Sequence, residues 1–169
     1  MKARGFTLVE LIVMVCLVAI LFGLALDRLT RYQELGERTA MEQNLAAINV
    51  ALTMKFAALV VAGRGAAIEK EVGANPVDLL ARAPENYLGA LYAPGTDSLP
   101  RQSWYYDRQS GDLVYLPGRT RYLSQPPDAA SGLRFRVALV EPSARKDEGL
   151  RELRQAVIRP RQPYAWDID

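Results

Sequence analysis

The sequence contains no histidine and a single cysteine, Cys16. The lack of histidine excludes a Ser/His catalytic arrangement and a Cys/His metal site. A lone cysteine excludes a disulfide within the chain, although a core of sufficient size is compatible with an oxidising compartment. Cys16 lies in an apolar run, where we interpret it as a small hydrophobic side chain in preference to a lipidation site.

The chain also lacks a strong charge of either sign. Its formal net charge is +2 over 169 residues. Proteins that bind nucleic acid normally cluster Lys and Arg on one face. One short basic stretch is present, RPRQP at residues 159–163. We interpret it as a solvated tail. We therefore expect no nucleic-acid partner.

Proline is absent before Pro76. Nothing forces a helix to break in the first part of the chain, and we predict one helix from Phe6 to about Ala62, roughly 85 Å long. Gly23 and Gly36 are the weaker points at which it could bend. An apolar stripe at spacings of three and four supports its second half: Leu45, Ile48, Leu52, Phe56 and Leu59.

The run from Phe6 to Leu26 contains one charged residue, Glu10. The run is long enough to cross a hydrocarbon core of about 30 Å. An acidic residue at the centre of a span costs roughly 2.5–3.5 kcal/mol, and less near an end. A cleaved secretory signal is disfavoured because the residues after Leu26, DRLTRY, contain no small-residue cleavage site. An ordinary signal anchor fits the length but leaves Glu10 unexplained.

The stretch KARGFTLVELIVMVCLVAILFGLAL, residues 2–26, explains Glu10 through a family resemblance. It closely resembles the N-terminus of type IV prepilins and of type II secretion pseudopilins. The resemblance implies a leader at residues 1–5, cut between Gly5 and Phe6 by a prepilin peptidase, and N-methylation of Phe6. It also implies that Glu10 meets the Phe6 amine of a neighbouring subunit. One alternative is a contact within one chain, since Phe6 and Glu10 are one helical turn apart, and another is that Glu10 extends to the membrane interface and pairs with nothing. Two charges that are costly alone in lipid are tolerable together, and such a pair would set the register of assembly.

We therefore predict an α+β, pilin-like fold. Residues 6–26 would be the transmembrane half of the helix, residues 27–62 its periplasmic half and residues 63–169 the head. In the head, Asn75 is a candidate N-cap for a short helix at residues 76–82. Trp166 is expected to dock onto the head, and residues 146–157 to form one or two helical turns.

The predicted sheet is antiparallel, has three or four strands and wraps on the apolar stripe. Ser103–Asp107 and Asp112–Leu116 are rich in aromatic and branched residues and flank a turn that ends in Gly111, which predicts a hairpin. Arg121–Leu123 and Leu133–Val140 supply further strands, and the second of these alternates apolar and basic residues.

The acidic residues near the hairpin are the candidates for chemistry. Asp107 and Asp112 could act as paired carboxylates, but acidic residues at turn edges commonly bond local backbone. The resemblance also implies calcium as a candidate cofactor, since some pseudopilin heads bind it. Its candidate ligands form no spaced loop: Asp97, Asp107, Asp112 and Asp128. The sequence has no phosphate-binding loop. We therefore expect neither enzymatic activity nor a resident cofactor.

Together these features predict a structural subunit of a type IV pilus-like filament or a type II secretion pseudopilus, in a minor role. The partners implied by the resemblance are other pilin or pseudopilin subunits, the prepilin peptidase and an inner-membrane assembly platform. The protein would be a single-pass inner-membrane protein with a periplasmic head before assembly. The alternative is a single-pass membrane protein that never polymerises and has a periplasmic ligand-binding head.

Overall fold

The structure is a computed structural model that describes residues 7–64, 67–68, 72–124, 132–140 and 155–168. One long N-terminal helix, α1, accompanies a mixed sheet of five strands and a second sheet of two strands. This arrangement confirms the α+β class. Helical turns were expected at residues 146–157, and residues 146–154 of this range lie outside the described residues.

Helix α1 runs from Leu8 to Val61 without interruption, 54 residues in all. Thr7 is its N-cap, and the Thr7 hydroxyl accepts a hydrogen bond from the Glu10 amide at 3.3 Å. The helix ends where Gly63 adopts a φ of +68°, a left-handed conformation that glycine adopts without steric cost. The predicted long helix is confirmed over this range, and it continues through both Gly23 and Gly36.

The second half of α1 packs against the head through the predicted stripe. Ile48, Leu52, Phe56 and Leu59 are all buried, and Leu45 is half-buried against the same core. In the opposing core of the head, the Trp104 ring contacts the rings of both Tyr115 and Phe135. The stripe therefore is the surface on which the sheet rests.

The larger sheet has the order β1-β2-β3-β5-β6. Its strands are β1 (Tyr87–Leu91), β2 (Ser103–Asp107), β3 (Asp112–Leu116), β5 (Leu133–Val140) and β6 (Gln155–Pro160). Strands β2 and β3 form the predicted hairpin with the predicted bounds, paired from Ser103↔Leu116 to Asp107↔Asp112. On β5, Leu133, Phe135 and Val137 are buried, as the alternation predicts.

Two parts of the sheet differ from the prediction. Strand β1 pairs with β2 in parallel, so the sheet is mixed and has five strands, not three or four antiparallel ones. Strand β6 includes Gln155, Ala156 and Val157, which were expected to be helical. Backbone pairing with β5 outweighs the local helical preference, because it also buries Ala156 and Ile158 against α1.

The remaining elements are short. The expected helix at residues 76–82 is a 3-10 helix at Pro76–Leu79, and the Asn75 side chain accepts from the Val77 amide as an N-cap. The second sheet pairs β4 (Leu123–Ser124) with β7 (Ala165–Trp166) in antiparallel fashion. The expected strand at residues 121–123 is therefore strand only at Leu123. Trp166 is buried, as predicted.

Candidate assembly helix and its carboxylates

The N-terminal end of α1 contains Glu10 in its first turn, with an exposed side chain. Gly5 and Phe6, the other two residues of the predicted processing and assembly site, lie outside the described residues. Thr7 has φ −78° and ψ 147°, an extended conformation, so the helix begins at Leu8.

The segment from Leu8 to Leu26, hereafter the apolar segment, is exposed at every residue. Its large hydrophobic side chains are exposed, and the most apolar window of α1 has no buried share. At 1.5 Å per residue the segment extends about 28 Å, close to the thickness of a hydrocarbon core. α1 is therefore long and apolar enough to cross a membrane.

Two buried carboxylates lie on α1 between the apolar segment and the stripe. Glu34 is fully buried, and its Oε1 accepts from the Trp166 indole N–H at 2.8 Å and from the Tyr122 amide at 2.9 Å. Its Oε2 is buried without a hydrogen-bond partner among the described residues. Arg38, one turn later, donates to the Trp166 carbonyl at 2.7 Å. This part of α1 therefore holds the C-terminal end of the head.

Glu37 binds the other side of the head. Its Oε1 accepts from the Tyr115 hydroxyl at 2.9 Å and from the Gly118 amide at 2.6 Å. Its Oε2 accepts from Gln102 at 2.9 Å, and Arg119 lies 3.8 Å from the same oxygen. Burial, with Glu37 beside it, raises the pKa of the Tyr115 phenol. The phenol therefore remains a donor to Glu37 at any physiological pH.

The sequence prediction missed both carboxylates. Glu34, Glu37 and Met41 continue the spacing of three and four that leads into the stripe at Leu45. Acidic residues in register with an apolar stripe indicate that a second element supplies donors at that point. That signal is present in the sequence, but the identity of the donors is not.

The two carboxylates of the hairpin, Asp107 and Asp112, are buried and bound by arginines. Asp112 is fully buried and lies 2.8 Å from both Arg136 and Arg161, and Arg134 lies 3.2 Å from Asp107. Residues 159–163 are exposed, as predicted, but they are not a tail, because Arg159 and Pro160 belong to β6 and Arg161 pairs with Asp112.

The hydrogen-bond donors around Asp107 lower the pKa of its carboxyl group. Burial alone would raise its pKa, but hydrogen bonds from the Ser110 hydroxyl, the Gln109 amide, Arg134 and the Ala93 amide outweigh burial and lower the pKa. A carboxylate that is held ionised and fully hydrogen-bonded is poorly suited to donate or accept a proton. These contacts describe a structural ion cluster beneath the hairpin turn.

The calcium candidates do not assemble in the part of the chain that the structure describes. Within that part, no group of three or more Asp, Glu, Cys or His side chains is placed to hold a metal ion. Asp97 is exposed on a short 3-10 helix, and Asp107 and Asp112 are occupied by arginines. Asp128 lies outside the described residues.

No protein-family model, curated protein sequence or solved structure matches this chain. The resemblance of residues 2–26 to prepilins and pseudopilins therefore stays a prediction from the residues themselves.

Proposed function

We propose that this chain is a structural subunit, a minor pilin or pseudopilin, that polymerises into a type IV pilus-like filament or a type II secretion pseudopilus. The observation that supports the proposal best is the division of α1. One uninterrupted helix exposes an apolar segment that is long enough to cross a membrane, and then packs its second half on a sheet. An enzyme or a simple anchor does not require this continuity.

Glu10 is the residue that the proposed assembly uses. It is exposed, it lies at the start of the apolar segment, and it is the only charged residue between Leu8 and Leu26. Cleavage after Gly5 would give Phe6 a positive amine at the same depth in the bilayer. The proposed pair joins the Phe6 amine of one subunit to Glu10 of its neighbour and would set the register of assembly.

In the proposed function the protein passes through two stages, a membrane precursor and an assembled subunit. The precursor would be a single-pass protein of the inner membrane, with its head in the periplasm, and a prepilin peptidase would remove residues 1–5. Other pilin or pseudopilin subunits and an inner-membrane assembly platform would then be its partners. The role is assembly, with no enzymatic step, no cofactor and no nucleic acid.

The proposal is tested first by the mass of the N-terminal peptide of the protein recovered from its host's membranes. We expect a peptide that begins at Phe6 and carries one additional methyl group. A peptide that begins at Met1, in a host with an active prepilin peptidase, would contradict the proposal, because Glu10 would then have no amine to meet.

Glu10→Ala separates assembly from simple anchoring. We expect the variant to insert into the membrane and to lose incorporation into filaments, measured by its presence in a sheared filament fraction. Thr39→Ala, an exposed change on the same helix beyond the apolar segment, is the control and should retain incorporation. Unchanged incorporation of Glu10→Ala, or no filament fraction for the wild type, would favour the single-pass protein with a ligand-binding head.

A further inference from the structure

Four arginines surround α1 just beyond the apolar segment, and we call them the arginine collar. Arg28 and Arg31 belong to α1, and Arg119 and Arg121 belong to the loop that follows β3. The loop is fixed to the helix, because Arg121 lies 3.2 Å from Asp27 and Arg119 donates to Gln33 at 2.9 Å. The collar therefore combines residues that are about ninety positions apart in the chain.

The collar lies at the height of lipid headgroups if the apolar segment fills the hydrocarbon core. Asp27 directly follows Leu26, so Arg121 is held at the edge of the core. At 1.5 Å per residue, Arg28 and Arg31 lie about 3 Å and 8 Å beyond Leu26. The headgroup layer of one leaflet is about 5–8 Å thick. Tyr32 is exposed at the same level, where amphipathic aromatic residues are common.

The charge of the collar is compensated only in part, because Arg119 lies 3.8 Å from Glu37 and Arg121 lies 3.2 Å from Asp27. Arg28 and Arg31 make no hydrogen bond or ion pair with any residue in the described part of the chain. The nearby acids are occupied: Glu34 is fully buried and Glu37 accepts from the head. The Asp27–Arg121 pair has side chains that are 66% and 61% exposed, so it contributes little.

The positions of the arginines around the helix axis favour a lipid surface over a protein partner. At 100° per residue, the helix positions of Arg28, Arg31, Asp27 and Gln33 spread over about 220° of the circumference. A protein partner would contact one face of the helix, whereas a leaflet surrounds it at one height. The helix positions that carry or hold the arginines, residues 27 to 33, span about 9 Å along the axis, close to the thickness of the headgroup layer, and do not share a face.

We propose that the arginine collar binds the phosphates of anionic phospholipid headgroups in the leaflet on the side of the head. Guanidinium groups bind phosphate through two parallel hydrogen bonds, and juxtamembrane basic residues are attracted to anionic lipid. The inference rests on the membrane-spanning part of the proposed function and is independent of polymerisation. The collar would fix the depth of the helix and keep the base of the head at the membrane surface.

The test uses the full chain in lipid bilayers that contain spin-labelled phosphatidylglycerol or phosphatidylcholine. The measurement is the ratio of the two association constants at the protein surface. The variant is Arg28→Gln with Arg31→Gln. The control, Arg64→Gln with Arg82→Gln, removes the same charge from exposed positions. Arg64 is bonded through its backbone to the far end of α1, about 50 Å from Arg28.

We expect the wild type and the control to prefer phosphatidylglycerol. The collar variant should lose that preference by roughly threefold, and salt should reduce the preference of the wild type. Equal association of both lipids with the wild type, or an equal loss in the control, would overturn the proposal. Loss of self-association in the collar variant, with lipid preference retained, would assign the arginines to a second copy of the chain.

The two proposals fail separately. If the chain is not retained in membranes after alkaline extraction, both the collar and the filament proposal are wrong. If lipid preference depends on the collar while Glu10→Ala leaves incorporation unchanged, only the filament proposal is wrong.

Discussion

Glu37 shows at the scale of one residue how the helix and the head are joined. Three donors from the head converge on this carboxylate: the Tyr115 hydroxyl, the Gly118 amide and the Gln102 side chain. Hydrogen bonds to a buried charge stabilise more than neutral ones, and a donor left without an acceptor costs about 1–3 kcal/mol. Glu37 therefore stabilises the junction through its acceptor capacity.

Glu37→Gln should lower the free energy of unfolding by about 2–3 kcal/mol, because the amide group replaces an acceptor with a donor. Urea unfolding of the full chain in detergent, followed by tryptophan fluorescence, measures the change. Glu42→Gln is the matched control on the same helix, because Glu42 is exposed and forms an ion pair with Arg38 one turn away. The control should change stability by less than about 0.5 kcal/mol. Equal effects of the two changes would contradict this account of the junction.

Asp107 gives the head a dependence on acid pH. Its pKa in the folded state is lowered, since the surrounding donors outweigh burial. A group with a lowered folded pKa stabilises the protein above its unfolded pKa, near 4, and that stabilisation is lost as pH falls through the folded pKa.

We therefore expect the urea midpoint of the wild type to fall as pH decreases below about 4. Asp107→Asn should be less stable at neutral pH and should lose part of this dependence. Asp97→Asn, at an exposed position, should follow the wild type. The measurement is a series of urea midpoints between neutral and acid pH, and an identical slope for Asp107→Asn and the wild type would contradict the role of Asp107.

At the scale of elements, α1 has a bound face and a free face within one turn. Phe56 is 4% exposed in the core, whereas Met54, two residues earlier, is 68% exposed. Phe56→Ala should lower stability by about 3–5 kcal/mol through lost burial and the resulting cavity, and Met54→Ala should change it by less than about 0.5 kcal/mol. Urea unfolding of both variants measures the contrast. A comparable loss of stability for Met54→Ala would contradict this assignment, because it would mean that the Met54 face of α1 also packs in the core.

The elements that depend on local pattern are those that the sequence predicts. The hairpin follows from two aromatic-rich runs around a glycine turn, and α1 follows from a stripe without proline. Strand β1 contains Gly89 at a φ of +97°, which weakens any strand pattern. The local residues of strand β6 favour a helix. The segment is a strand because it pairs with β5 and contacts α1, and neither interaction is visible in the local sequence.

The junction carboxylates belong to the same non-local class. Glu34 finds its donors in Tyr122 and Trp166, 88 and 132 positions away. A one-dimensional pattern records that a carboxylate interrupts an apolar stripe, but it does not record which donor arrives. The predicted docking of Trp166 is correct, and its hydrogen-bond acceptor on α1 was not predicted.

At the scale of the whole molecule, the apolar segment is independent of the head. Its side chains are exposed along their whole length, whereas the junction at Glu34 and Glu37 begins about 12 Å further along α1. A chain that lacks residues 1–26 should therefore be soluble and folded, with the urea midpoint of the full chain. Expression of residues 27–169, circular dichroism and urea unfolding test this. An insoluble or unfolded product would mean that the head depends on the apolar segment.

The bond between Glu34 and Trp166 also sets the order in which the molecule is completed. The donor to Glu34 lies 132 positions later in the chain. At about 5–20 residues per second, the ribosome needs roughly 7–26 s to supply it. The apolar segment leaves the ribosome first and can enter the membrane during that interval, while Glu34 still faces water. The contact of Glu34 with Trp166 is therefore the last contact of the junction to form, and a chain truncated before residue 166 would lack it while the contacts of Glu37 are already available.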